Sequence, residues 1–213
     1  MTLRQILTLN LFYKLELWVG IRYNGNMDNK PMVKWEAYGK ITIFIDAANV
    51  IYSLKDLGWQ IDYKKLQKYF LQKAQLNNIY YYSAYFDNDI GRKNLHEMLS
   101  RKGFIVRTKL VKEIKKTDGG LLHKANCDVE LTMDIMSEYK KIDTLVLLSG
   151  DSDFVPLINK LKSEKKKTIV ISTRGHIARE LIESADVYLH FNQFKKFWVK
   201  PDKIKKRPKR RSR

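Results

Sequence analysis

The chain has 213 residues, 44% hydrophobic and 30% charged, an ordinary composition for a globular protein with a full core. Its single cysteine, Cys127, excludes an intramolecular disulfide and a cysteine-based zinc site, and fits a reducing, cytoplasmic setting. The formal net charge of +18 is the unusual quantity. It favours a polyanionic partner, and RNA or DNA is the polyanion at hand inside a cell.

The charge is unevenly placed. Residues 195–213 carry eleven basic side chains against one acid, and the body holds the remaining +8. A merely solubilising tail is the plain alternative to one that binds nucleic acid, and both readings stand at this point. His96, His123, His176 and His190 show no metal-ligand spacing and read as surface or packing residues. Leu3–Ile21 is apolar but interrupted by Arg4, Lys14 and Glu16, which leaves it short of the roughly 20 residues of a membrane span. No small-x-small cleavage site follows it, so no membrane partner is expected. Residues 1–39 read as an extension, 40–194 as one domain and 195–213 as a basic tail.

Along the domain, β-branched runs alternate with helical patterns. Ile41–Asp46 reads as a buried strand, and Asn49–Asp56 and Tyr63–Gln75 as helices split by Gly58. Ile79–Tyr85 is a second strand, Ile90–Lys102 a helix and Phe104–Lys109 a third strand. The connection Arg107–Lys124 carries Arg107, Lys109, Lys112, Lys115, Lys116 and Lys124 against Glu113 and Asp118. With Gly119-Gly120 inside it, it reads as a flexible loop overhanging a strand end, where it could grip a phosphate chain. Cys127–Tyr139 is a helix, Thr144–Leu148 a fourth strand, Phe154–Lys162 a helix and Thr168–Ser172 a fifth strand. After it, Arg174 can reach the same groove. Ala178–Ser184 is a helix and Val187–His190 a short edge strand.

This alternation predicts a three-layer α/β/α, Rossmann-like sandwich with a mainly parallel sheet of five or six strands. With order 3-2-1-4-5, the strand order reverses between the first and fourth strands, where such sheets place their sites. Both of those strands end in acids. Asp46 closes the first and Asn49 follows one short step later; as residues alone, Asp46 is equally a cleft carboxylate or a helix cap. The fourth strand runs into Ser149-Gly150-Asp151-Ser152-Asp153, where Gly150 permits a tight turn. Two carboxylates so close repel one another unless a hard cation such as Mg²⁺ or Mn²⁺ lies between them. A cap at Asp153 explains one acid and not both. Asp128 falls in the first turn of its helix, and Asp134 lies six residues on, about 240° around it, so the two cannot serve one metal. Asp128 is read as the ligand and Asp134 as a structural acid.

The strand end Ile45-Asp46-Ala47-Ala48-Asn49, the helix Lys124-x3-Asp128-Val129-x-Leu131-x2-Asp134 and the loop Leu148-Ser149-Gly150-Asp151-Ser152-Asp153-Phe154 together resemble the NYN domain, the LabA/DUF88-like branch of the PIN-like nucleases. The resemblance covers residues 41–191, with Ala47 where many relatives carry Gly. It implies a metal-dependent ribonuclease in which Asp46, Asp128, Asp151 and Asp153 hold one or two Mg²⁺ or Mn²⁺. Asn49 then positions a metal-bound water or a phosphate oxygen, and no histidine base is needed. Lys124 contacts the scissile phosphate or is simply solvated.

The expected partner is RNA, single-stranded by preference, and a homodimer is an admissible assembly. An RNA-binding module of the same fold without turnover is the competing reading. A phosphatase of the haloacid-dehalogenase type needs a second Asp two residues after its nucleophile, and Ala48 stands there. Phe194, Phe197 and Trp198 either stack on bases or dock the last segment onto the body. If the tail contacts nucleic acid, deleting Lys200–Arg213 weakens RNA binding and flattens its dependence on salt, because fewer counterions are released. Titrations across a salt series check this, and an unchanged slope takes the tail off the nucleic acid.

Overall fold

The computed structural model describes residues 33–115 and 121–201, so residues 1–32, 116–120 and 202–213 lie outside it. A single 3₁₀ turn, Trp35–Tyr38, leads into β1 (Lys40–Asp46), which is buried from Ile41 to its end. Burial on both sides explains why β1 lacks a polar alternation. Then follow α1 (Ala47–Asp56), α2 (Tyr63–Lys73), β2 (Gln75–Tyr85), α3 (Ile90–Arg101) and β3 (Ile105–Leu110). A hairpin of β4 (Lys112–Lys115) and β5 (Leu121–Lys124) precedes α4 (Asp128–Glu138). The chain continues through β6 (Thr144–Leu148), α5 (Val155–Ser163), β7 (Lys167–Ser172), α6 (Arg179–Ser184), β8 (Val187–His190) and α7 (Lys195–Trp198).

The main sheet has six strands in the order β3-β2-β1-β6-β7-β8, and every pairing in it is parallel. This is the expected order, with the short sixth strand at the edge. Strand parity assigns the faces. Phe44 stacks on Tyr80 with ring centroids 4.6 Å apart and 10° between planes, and the two belong to one core with Leu131 and Ile135 of α4, Ile158 and Leu161 of α5 and Leu181 of α6. Tyr81, of opposite parity, meets Tyr63 of α2 at 5.1 Å on the other face. Asp46 shares the parity of Phe44 and so emerges on the α4 side of the sheet.

Two local expectations give way to pairing. Helix α2 ends at Lys73 rather than Gln75, because Gln75 and Leu76 already pair with Lys40 and Ile41 of β1. The connection expected to be a flexible loop is an antiparallel hairpin, with Lys112 opposite Lys124 and Lys115 opposite Leu121. Two short runs joined by five residues containing Gly-Gly have the length and composition for one. Ala47 opens α1 in ordinary backbone conformation; among the described residues Lys165 is the non-glycine with positive φ. The substitution of Gly by Ala there is therefore accommodated.

The C-terminal aromatics dock the last segment. Phe194 and Trp198 stack at 4.1 Å, Trp198 meets Phe70 of α2 at 5.6 Å, and the Trp35 indole donates to the Tyr69 hydroxyl at 3.0 Å. Among the described residues no helix is long and apolar enough to cross a membrane. Because Trp198 is fully buried, Trp198→Ala should lower the free energy of unfolding by about 3–5 kcal/mol. Leu71→Ala, at an exposed position, should change it by less than about 0.5 kcal/mol. Urea denaturation of the two variants measures the contrast.

Candidate functional site

Asp46 ends β1 and caps α1. Its Oδ1 accepts from the backbone N–H groups of Ala48 at 3.1 Å and Asn49 at 3.3 Å. Its Oδ2 accepts from the Asn49 side-chain amide at 2.7 Å and the Ser149 hydroxyl at 3.0 Å. The carboxylate is thus a helix cap that also binds the residue following β6. Burial pushes its pKa up, and the donors from Asn49, Ser149 and Ala48 pull it back.

The β6 strand delivers the next acids. Asp151 caps a 3₁₀ turn, accepting from the Asp153 N–H at 3.0 Å, and its own N–H donates to Ser149 Oγ at 3.3 Å. Gly150, expected to permit a tight turn, does not draw on a left-handed φ. It is required for another reason: a Cβ there would lie 1.6 Å from the His176 carbonyl oxygen. The loop after β7 runs directly against it, and the Ala178 N–H donates to Gly150 O at 2.9 Å.

Helix α4 brings Asp128. The helix is held to β2 and β3 by its other acids: Asp134 accepts from the Tyr82 hydroxyl at 2.8 Å and from Arg107 Nε at 2.9 Å, and Glu130 accepts from Lys109 at 2.7 Å. Asp134 is therefore the structural acid its helix phase predicted. Its partners are strand side chains because Arg107 sits opposite Tyr82 in the parallel register. Burial and Asp134 together hold the Tyr82 phenol protonated. Asn126 donates to Asp128 Oδ2 at 2.7 Å. Burial pushes the neighbouring Cys127 thiol up to about 11, which keeps it unreactive.

The carboxylate oxygens of Asp128, Asp151 and Asp153 come within 4.8 Å of one another, the one such group of potential metal ligands among the described residues. Asp46 stands behind them, occupied by its hydrogen bonds. Oxygens around a cation held at about 2.1 Å lie no more than about 4.2 Å apart, so a slight contraction of the three would close on Mg²⁺ or Mn²⁺. An all-oxygen, anionic donor set suits those cations.

Helix α1 and the segment after it cross the carboxyl edge of the sheet. Asn49 Oδ1 accepts from Gly150 N–H after β6 at 3.4 Å, Asp56 pairs with His176 after β7 at 2.6 Å, and Trp59 Nε1 donates to Asn192 after β8 at 3.1 Å. Asn49, expected to face a water or phosphate, uses both ends of its amide to join Asp46 to Gly150. His190 Nδ1 accepts from the Asn192 N–H at 3.2 Å, so its Nε2 carries the proton shared with Thr173 Oγ1 at 2.7 Å.

The predicted basic contacts fall into three groups. Arg107 and Lys109 form ion pairs with Asp134 and Glu130 of α4. Arg174 is exposed on the loop after β7. Lys112, Lys115 and Lys124 lie on the hairpin strands, but their side chains, and Lys116 altogether, fall outside the described residues. Ser149 and Asn126 were not singled out from the sequence. Ser149 could have been, because it continues the parity of Leu147, which registers with Phe44 on the face of Asp46.

Burial, then the charges of Asp46, Asp151 and Asp153, push the Asp128 carboxyl up to about 6. The folded protein thus binds this proton more tightly than the unfolded chain. Stability of the metal-free protein therefore falls as pH rises from the usual carboxylate range through about 6. A divalent cation should reverse the loss. In EDTA near pH 7, Asp128→Asn should melt above the wild type, with the gap closing toward pH 4. With Mn²⁺ the wild type should gain melting temperature and the variant much less. An equal gain in both would remove Asp128 from the metal site.

The NYN domain family matches residues 40–192. The chain is 32% identical over 168 residues to the low amplitude and bright protein LabA of Synechococcus elongatus, spanning 77% of this chain and 90% of LabA. In three dimensions it resembles the crystal structure of a protein of unknown function from Vibrio parahaemolyticus RIMD 2210633. That match has a TM-score of 0.62 at 24% identity and covers 80% of this chain and 100% of the other, a likeness of fold. All three acid-bearing segments lie inside the matched span, and the chain belongs to the NYN domain family.

Proposed function

We propose that this protein is a metal-dependent ribonuclease that hydrolyses phosphodiester bonds of single-stranded RNA in the cytoplasm. NYN domains are generally nucleases of the PIN-like superfamily. The observation that carries the reading is the convergence of Asp128, Asp151 and Asp153 beside buried Asp46 at the carboxyl edge of the sheet. In it, Asp128, Asp151 and Asp153 hold Mg²⁺ or Mn²⁺, and Asp46 completes the acid set from behind. A bound cation supplies a water of lowered pKa and stabilises charge on the phosphoryl oxygens.

The chain's own residues do the rest. Asn49 and Ser149 donate to Asp46, which favours its charged form against the effect of burial, and fix the turn that carries Asp151. Arg174, Lys112, Lys115, Lys116 and Lys124 offset the repulsion between the acids and an RNA chain. Arg107 and Lys109 serve the same field from within their ion pairs, which weakens their individual contribution.

Purified protein should cleave unstructured RNA with Mn²⁺ or Mg²⁺ and stop on addition of EDTA. Asp151→Asn should lower cleavage by at least about 100-fold. Asp46→Asn, one layer behind, should lower it by about 10- to 100-fold. Undiminished cleavage by Asp151→Asn would overturn the site. RNA binding without cleavage under either metal would make the protein a non-catalytic RNA-binding module instead.

A further inference from the structure

The geometry points to Tyr52 as a base-stacking platform for the unpaired nucleotide beside the acid cluster, an inference that rests on the ribonuclease reading for the identity of the strand. Tyr52 lies on α1, the helix that crosses the carboxyl edge, and is 64% exposed. It sits three residues after Asn49 and four before Asp56, so at 3.6 residues per turn it projects within about 60° of both. Asn49 reaches Gly150 of the acid-bearing turn and Asp56 reaches His176 of the loop packed on it. The Tyr52 ring therefore flanks the stripe of α1 that faces the site, on the solvent side and about 4.5 Å along the axis from Asn49.

The surroundings say what such a ring can hold. Of the large hydrophobic side chains exposed among the described residues, Leu71 alone sits at the amino end of the sheet. Met133 lies midway along α4, and the others lie at or near the carboxyl edge, with Ile51 beside Tyr52, Phe86 and Leu110 at the ends of β2 and β3, and Val129 in the first turn of α4. The centre of that edge is anionic and repels phosphates, and Arg107 and Lys109 beside it are already paired with acids. A strand crossing here gains most from uncharged contact through its bases. Each base offers an aromatic ring a flat face whatever its identity, so stacking grips without reading sequence. Paired bases are covered by their neighbours, and only an unpaired strand can lay one on Tyr52.

Steady-state cleavage of an unstructured, labelled oligoribonucleotide with Mn²⁺ tests this. Tyr52→Ala should raise KM by about five- to a hundredfold with kcat changed by less than about twofold, since the ring binds ground and transition states alike. Tyr52→Phe and Tyr52→Trp should retain the wild-type KM. A substrate with abasic sites flanking the cut should erase the difference. Anisotropy titrations in an Asp151→Asn background read binding without cleavage. There Tyr52→Ala should weaken affinity by the same factor and leave the salt slope unchanged, because stacking releases no counterions.

Equal KM for Tyr52→Ala and an active wild type would overturn the platform and leave the nuclease standing. A wild type that cleaves nothing but loses RNA affinity on Tyr52→Ala would overturn the nuclease and leave the platform. Unchanged RNA affinity with a change of mass in sedimentation would make this face a contact between protein chains, which also overturns it.

Discussion

Everything at the carboxyl edge depends on one buried carboxylate. Asp46 receives four hydrogen bonds, two from the first turn of α1, one from the Asn49 amide and one from Ser149 just past the neighbouring strand. A carboxylate so nearly enclosed is costly to ionise unless donors surround it, and these four do. In return the charge fixes where α1 begins and ties the ends of β1 and β6 together. Asp151 inherits its position from that knot through Ser149 Oγ.

The acids divide into those that hold the fold and those left facing one another. On α4, Asp134 and Glu130 are consumed by Arg107 and Lys109, which clamp the helix against β3. The same helix then presents Asp128 to Asp151 and Asp153, whose carboxylate oxygens lie within 4.8 Å of one another. Mutual repulsion at such a place lowers stability, a common trade at functional sites. The net charge of +18 sets a background that favours polyanions over the whole surface, while the cleft itself is locally anionic.

Much of this was legible in the sequence because strands that end in acids announce themselves. Runs such as Ile41–Asp46 and Thr144–Leu148 are buried on both faces, and their apolar composition gave both their class and their length. Helix phase separated Asp128 from Asp134. What escaped depends on contacts between distant segments. No local signal tells that Gly150 is needed to admit the backbone of His176 rather than to make a turn. Nor does one say that Gln75 leaves its helix to pair with Lys40. The β4–β5 hairpin hid behind its lysines and its Gly-Gly. Trp35, at the end of what read as an extension, is 1% exposed because its partners Tyr69 and Phe70 lie more than thirty residues on.

The path of α1 over the sheet edge bears on how the protein opens. Its residues and those just after it fasten in turn to the segments following β6, β7 and β8, through Gly150, His176 and Asn192. Lifting this one element would release three strand ends together. Such a shared fastening makes the carboxyl edge a single cooperative unit, so that its amides exchange with solvent as a group rather than loop by loop. The site is then lost or kept whole, and partial fraying of one loop is resisted by the other two.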